Sequence, residues 1–302
     1  MQIIVPLDGS SLAERAIEPA ALLARRSPTP VTLTLLRVDD HQQIVEAVAE
    51  EFSPAVAASI PDRADEYLSY LQGVHAAFAL DDLEVKIAVV PGAPVAAIEA
   101  FAHATQTELI VMASHVLTTL DRVMWGSVTE SVARDVGIPT LIIRPNGVPF
   151  ASVTQANPFT ILVPLDGTQF AETAIDAAAF LARSFSGTLL LLHVLPEIVG
   201  MPEELAEREV DARIYLTAIS HRLTAQGIKT DRLVTVGDPA IHIANAIQDG
   251  RADMVAIATH GQENTAHFTH ASIMEEVLHH VPAPMLVVHP LKTYSTLLAT
   301  VR

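Results

Sequence analysis

The sequence predicts two tandem α/β domains, each built around a buried parallel β-sheet. Three observations predict this fold. The chain has 302 residues, a length that suggests two domains at roughly 100–200 residues per domain. One motif occurs twice, since Val-Pro-Leu-Asp-Gly-Ser at residues 5–10 returns as Val-Pro-Leu-Asp-Gly-Thr at residues 163–168. Short apolar, β-branched segments alternate with helical periodicities in each half, which indicates parallel strands joined by right-handed crossovers.

The apolar periodicity places five strands and four helices in the first half. The strands are expected at residues 2–7, 31–38, 83–90, 109–114 and 140–143. The helices are expected at residues 12–26, 62–79, 94–105 and 127–135. The second half repeats this order, because Gly237 matches Gly92, Ala258-Thr259-His260 matches Ala113-Ser114-His115, and Pro284-Met285-Leu286 matches Pro139-Thr140-Leu141.

The segment between the two halves predicts an interdomain linker. Residues 145–159 contain three prolines, two asparagines and no charge, a composition typical of loops. We therefore expect a first domain at 1–145, a linker at 146–159, a second domain at 160–290 and a C-terminal tail at 291–302. Each domain is expected to have its own sheet, so a single continuous sheet through both halves would contradict this expectation.

The last strand of each half is expected to lie at a sheet edge. Residues 140–143 and 285–288 are short, apolar and flanked by proline. An uncovered apolar edge promotes association. These two strands should therefore pair with each other or with another chain.

Composition excludes several classes of function. The net charge of −17 disfavours broad binding to nucleic acid or to an anionic membrane. The absence of cysteine excludes a disulfide framework, a thiol nucleophile and a Cys-ligated zinc site. No apolar run reaches about 18 residues, and the chain enters Gln2-Ile3-Ile4-Val5 without a basic leader, so we expect a cytoplasmic protein.

Catalytic and metal motifs are not recognisable in the sequence. No lysine stands in a Gly-Lys-Ser/Thr motif, so a P-loop is excluded. No Gly-x-Ser-x-Gly occurs, so the nucleophile of an α/β-hydrolase is unsupported. His267 and His270 are interpreted as polar loop residues or phosphate donors rather than zinc ligands, because a zinc site usually needs three or four ligands. No catalytic or metal-binding residue is therefore expected.

Candidate ligand-binding residues follow the first and second strands of each half. Ligands of open parallel sheets bind beyond the carboxyl ends of the strands. Asp8 and Asp166 follow the first strands, and their carboxylates could accept from ribose hydroxyls or adenine nitrogens. The alternative is a turn or helix cap, which Asp, Gly, Ser and Thr favour. Val38 and Val194 end the second strands, where the backbone could pair with a base edge.

A second group of candidates lies in the loop after the fourth strand. A loop that leads into a helix N-terminus can hold phosphate through backbone N–H groups and the helix dipole. Ser127 and Ser272 could each add a hydroxyl to the phosphate site or could simply cap the helix that follows the loop. The candidates are Ala113, His115, Gly126 and Ser127 in the first half, and Ala258, His260, Gly261, Ala271 and Ser272 in the second.

Together these motifs resemble the universal stress protein family, in a tandem arrangement that covers nearly the whole chain. The family signature is Gly-x-x-Gly, nine residues, then Gly-Ser or Gly-Thr, and both halves reproduce its spacing. The resemblance implies Rossmann-like domains with five-stranded parallel sheets of order 3-2-1-4-5. It also implies adenosine beside the aspartate, adenine at the end of the second strand, phosphates in the loop, and association through the last strand.

By this resemblance, the protein is an ATP- or AMP-binding stress regulator, with Mg²⁺ possible beside the nucleotide and at most slow ATP hydrolysis. The alternative is a nucleotide-free member that acts as a dimerising interaction module. Homo-oligomers through the last strands are implied in either case.

The glycine signature is degenerate in both halves. Ala113 and Val116 stand where the first half should have glycines, and a β-branched residue is unfavourable wherever φ is positive. The second half has Ala258 and Ala271 but keeps Gly261. Glu263 in that loop would repel phosphate. The replacement of glycine by Ala271 at a helix start should nevertheless cost less binding than the replacement of a flexible loop glycine by Val116 in the first half. We expect at most one well-occupied nucleotide site, in the second domain.

Overall fold

The computed structural model describes residues 1–51, 53, 63–114, 116–119, 122–125, 127–144, 147–155, 158–197, 202–259, 277 and 281–289. The predicted C-terminal tail lies outside these residues. The described chain forms a ten-stranded sheet with helices on both faces, and a separate two-stranded antiparallel pair.

Each half contributes five parallel strands, in the predicted order 3-2-1-4-5. The strands of the first half are β1 (Gln2–Pro6), β2 (Thr32–Asp39), β3 (Glu84–Pro91), β4 (Leu109–Ala113) and β7 (Thr140–Ile143). The strands of the second half are β8 (Thr160–Pro164), β9 (Thr188–Leu195), β10 (Lys229–Val236), β11 (Met254–Ala258) and β12 (Met285–Val288). The central residues of the inner strands are almost fully buried because helices cover both faces of the sheet, whereas the outer strands β3 and β10 are partly exposed.

Within the described residues, the helices agree with the prediction except in two places, and the fourth helix expected in the second half lies almost entirely outside those residues. They are α1 (Ile17–Arg26, preceded by a 3₁₀ turn at Ala13–Ala16), α2 (His41–Glu51), α3 (Ala64–Ala77), α4 (Pro94–Ala104), α5 (Ser127–Asp135), α6 (Phe150–Val153), α7 (Gln169–Phe185), α8 (Pro202–Ala225) and α9 (Pro239–Gln248). Helix α2 was not predicted, and α6 lies in the segment predicted to be a linker without regular structure.

The two halves join through their last strands. Strand β7 pairs antiparallel with β12, with Leu141 opposite Leu286. Of the two predicted alternatives, pairing with each other or with another chain, the structure confirms the first. The expectation of two separate sheets is wrong, because this pairing covers both edges and makes one continuous sheet. Both hydrogen-bonding sides of β7 and β12 are used within the chain, so a homo-oligomer stays a prediction that needs other surfaces.

The hydrophobic core differs between the two faces of the sheet. On the face covered by α1 and α7, a single cluster of buried side chains runs through both halves. On the opposite face there are two clusters: one lies in the first half, and the other lies mostly in the second half but includes Ala133 and Ile142 of the first. The segment between the halves takes part in the shared cluster, since Phe150 and Phe159 are buried and both contact the ring of Phe185 edge to face, with centroids 5.7 Å apart.

In the part of the chain that the structure describes, no helix is both long and apolar enough to cross a membrane. The same residues contain no group of three or more His, Asp or Glu side chains placed to hold a metal ion.

Candidate functional site

Each half has a cavity at the point where the strand order reverses. Strand β1 pairs with β2 on one side and with β4 on the other, and β8 pairs in the same way with β9 and β11. The crossover helices therefore leave the sheet in opposite directions and open a crevice at the carboxyl ends of the strands.

An aspartate turn lies at the mouth of each crevice and has the same geometry in both halves. The Oδ1 atom of Asp166 accepts the backbone N–H of Thr168 at 2.9 Å and its hydroxyl at 2.6 Å. Thr168 in turn caps α7, because its hydroxyl accepts the N–H of Ala171. Asp8 and Ser10 repeat these contacts. The carboxylates thus stabilise the turn, as one interpretation of the sequence predicted, and they also line the cavities. Their role as acceptors for a ligand stays a prediction.

The first cavity has a volume of about 360 Å³. Apolar side chains form most of its walls, including Leu12, Ile98 and Met112, and the predicted site residues Asp8, Val38 and Ala113 also line it. Arg37 and Asp40 also line it, although neither was predicted as a site residue.

The second cavity, as the described residues outline it, has a volume of about 230 Å³. The predicted residues Asp166, Val194 and Ala258 line it, together with Phe170 and Pro239. The structure thus brings the candidates at the ends of the first, second and fourth strands together in both halves.

The remaining candidates belong to the loop after the fourth strand. His115, Gly126, His260, Gly261, Ala271 and Ser272 lie outside the described residues, as do Glu263, His267 and His270. Ser127 is the first residue of α5, and its role in phosphate binding or helix capping stays a prediction.

In the first half, the segment that follows β4 is extended rather than looped. Strands β5 (Val116–Thr119) and β6 (Arg122–Trp125) pair antiparallel, with Val116 opposite Trp125. Val116 is therefore in a conformation that β-branched residues favour. The expected strain from positive φ at this position does not arise, because the backbone adopts another structure.

A tyrosine–glutamate pair in each half was missed from the sequence. The hydroxyl of Tyr70 donates to Glu14 at 3.0 Å, and that of Tyr215 donates to Glu172 at 3.2 Å. Burial and the neighbouring glutamate raise the pKa of both tyrosines, and Asp8 or Asp166 adds to the effect. The two pairs occupy equivalent places in the repeat, a correspondence that aligning the halves residue by residue would have revealed.

The residue two positions before the end of the second strand differs between the two sites. In the first half, Arg37 donates from Nη1 to the carbonyl of Leu7 at 3.2 Å, and its guanidinium lies 4.4 Å from the centre of the Tyr67 ring. The second half has His193, whose ring lies 6.0 Å from that of Tyr215. Burial lowers the pKa of His193, so its ring is neutral near pH 7. Only the first of these positions carries a positive charge.

Comparison with known proteins gives a consistent result for both halves. The family model of the universal stress protein family matches residues 1–144 and 159–289. A universal stress protein of Mycobacterium tuberculosis is 24% identical over 266 residues, which cover 86% of this chain and 80% of that protein. Another from Synechocystis is 25% identical over 147 residues, 42% of this chain and 96% of that protein.

A solved structure that covers nearly the whole chain shows the same fold. A universal stress protein from Archaeoglobus fulgidus covers 95% of this chain and 98% of its own, with a TM-score of 0.67 and 19% identity. A universal stress protein solved in complex with cAMP covers 44% of this chain and 99% of its own, with a TM-score of 0.38 and 18% identity.

Proposed function

Since the chain belongs to the universal stress protein family, we propose that it binds an adenine nucleotide, ATP or AMP, in the cytoplasm and acts as a stress-response regulator without efficient catalysis. The observation that carries this proposal is the cavity at the switch point of each sheet, with an aspartate at its mouth and apolar walls behind it. Such a cavity suits a flat base, because the walls bury the ring and the carboxylate accepts from ribose hydroxyls.

The second domain is proposed as the nucleotide site. In the first domain, the extended pair β5–β6 stands where a phosphate-binding loop would begin. The second domain keeps Gly261 at the corresponding position, and a glycine there lets the backbone approach an anion closely. We therefore propose one well-occupied nucleotide per chain, bound between Asp166, Val194 and the loop after β11. Mg²⁺ would accompany the phosphates, as is usual for nucleotides.

Titration calorimetry with ATP, ADP and AMP tests this assignment. Asp166→Ala should weaken nucleotide binding at least about tenfold, the size expected for loss of a hydrogen bond to a charged group. Asp8→Ala is the matched control, because it disrupts the equivalent turn in the first domain, and it should leave the nucleotide affinity within about twofold. Equal affinity in the double variant would remove both aspartates from the site, and loss in Asp8→Ala alone would move the site to the first domain.

A nucleotide-free interaction protein is the second candidate, and the extended segment after β4 favours it for the first domain. Mass spectrometry of ligand released from the denatured protein separates the two functions. Release of an adenine nucleotide supports the first. A ligand-free protein that also gives no heat with ATP, ADP or AMP supports the second.

A further inference from the structure

A third cavity lies outside the two cavities at the strand-order reversals. It has a volume of about 310 Å³ and is bounded by the start of α1, the end of β7 and the segment that joins the two halves. Pro19 of α1, Ile143 of β7 and Phe150 of α6 are among the residues that line it. None of its described lining residues lines either of the first two cavities, so a ligand here would occupy a separate site.

The wall formed by the joining segment is held in place by the second half. A Cβ atom at Gly147 would overlap the carbonyl oxygen of Pro282, so only glycine allows this close approach. The N–H of Gly147 donates to the carbonyl of Arg144 at 3.2 Å, and the ring of Phe150 packs edge to face on that of Phe185 in α7. The cavity is therefore formed before any ligand binds, which lowers the ordering cost of binding.

A buried positive charge lines this third cavity. Arg144 directly follows β7 and is only 6% exposed. Burial lowers the pKa of its guanidinium to about 10, so the group stays protonated near pH 7 although it has lost most of its hydration. A carboxylate beside a guanidinium can form charge-assisted, bidentate hydrogen bonds. An anion in the cavity would therefore stabilise the charge that burial destabilises.

The other charges around the cavity limit the anion to a single negative charge. Two arginines and two glutamates are among the described lining residues, namely Arg15, Arg144, Glu14 and Glu18. Arg15 and Glu18 are exposed, whereas Glu14 is partly buried and accepts the hydroxyl of Tyr70. Because the lining has no net positive charge, a dianion such as phosphate would be repelled by both glutamates without a matching attraction.

The remaining lining of the third cavity is largely apolar. Ile143 and Phe150 are buried, and Phe78 is partly buried. Such walls favour a ligand with an apolar body, and aromatic side chains favour an aromatic one. We infer that this cavity binds a small aromatic carboxylic acid as its carboxylate anion. The carboxylate accepts hydrogen bonds from Arg144, and the ring lies against Phe78 and Phe150. This inference goes beyond the proposed nucleotide function and does not depend on it.

Ligand-observed NMR titration of the full chain tests the inference, with phenylacetate as the probe and phenylacetamide as its uncharged counterpart. Phenylacetate should bind at least about tenfold more tightly than the amide, and Arg144→Met should remove this difference, as expected for loss of a hydrogen bond between charged groups. Methionine in place of a buried charge is often neutral for stability, and circular dichroism checks the fold. The matched control is Arg183→Met, because Arg183 lines a different cavity at the amino ends of β9 and β10, and it should leave phenylacetate binding unchanged.

A variant at the exposed rim of the cavity tests the same site without changing a buried residue. Glu18→Lys replaces a repulsive charge with an attractive one, so it should strengthen phenylacetate binding about two- to fivefold, the size expected for a solvated charge pair. The matched control is Glu207→Lys, which makes the same change of net charge at an exposed position of α8, away from the cavity lining. It should leave the affinity for phenylacetate unchanged, because salt screens distant charges.

Several outcomes would overturn the inference. It is wrong if phenylacetate shows no saturable binding, if phenylacetamide binds as tightly, or if Arg183→Met rather than Arg144→Met removes binding. Saturating ATP should leave the affinity for phenylacetate unchanged, and displacement by ATP would place the probe in a nucleotide cavity instead. Inorganic phosphate should compete only weakly, and competition by phosphate at lower concentrations than phenylacetate would show a phosphate site rather than a carboxylate site.

Discussion

The antiparallel junction between β7 and β12 should make the two halves unfold as one unit, and a double-mutant cycle across it measures this coupling. Leu141 and Leu286 lie opposite each other in the register, and both are completely buried. Each Leu→Ala substitution should cost about 2–5 kcal/mol of unfolding free energy, because it removes buried methyl groups and leaves a cavity. Since the residues are neighbours, we expect their costs to deviate from additivity by about 0.5–3 kcal/mol.

Urea unfolding followed by far-ultraviolet circular dichroism and by tryptophan fluorescence provides the assay. The single tryptophan, Trp125, lies in the first half, so fluorescence reports on that half while circular dichroism reports on both. Leu286→Ala lies in the second half, yet it should shift both transitions together.

The control cycle pairs Leu286→Ala with Leu35→Ala. Leu35 is also completely buried, but its strand is four strand spacings from β12, about 19 Å, and the two costs should add. Additivity within about 0.5 kcal/mol for the Leu141–Leu286 pair would refute the reasoning. So would a fluorescence transition that Leu286→Ala leaves unchanged.

Three further predictions concern other parts of the structure. Residues 1–145 expressed alone should self-associate, because removing the second half exposes the edge of β7; analytical ultracentrifugation that shows a monomer would contradict this. Absorbance titration should find Tyr70 and Tyr215 protonated well above pH 10, since burial raises the pKa of both, and the Tyr70→Phe and Tyr215→Phe variants assign the two signals. Burial also raises the pKa of Asp253 above 3.8, so the folded state binds more protons and this group lowers stability as pH rises just above 3.8. Asp253→Asn should flatten that decline in thermal melts while still accepting the Thr160 N–H, and an unchanged pH profile would contradict the assignment.

Local patterns were sufficient to predict most individual elements and part of the site. The Asp-Gly-Ser and Asp-Gly-Thr motifs form their turns through contacts within a few residues, so the sequence places Asp8 and Asp166 correctly. Helix α2 and strands β5 and β6 were not among the elements predicted from the apolar periodicity. The resemblance directed attention to the lost glycines, whereas Val116 belongs to a strand.

The sequence by itself determined the repeated α/β organisation, because buried parallel strands need apolar β-branched segments and the chain carries that pattern twice. It also determined that the last strands need covering, since their apolar residues and flanking prolines are visible without a structure. Only the tertiary structure decided that β7 and β12 cover each other, since pairing depends on how distant segments meet. The same holds for the Tyr70–Glu14 contact and for Arg37 at the Tyr67 ring, because packing of helices against the sheet brings together groups far apart in the chain.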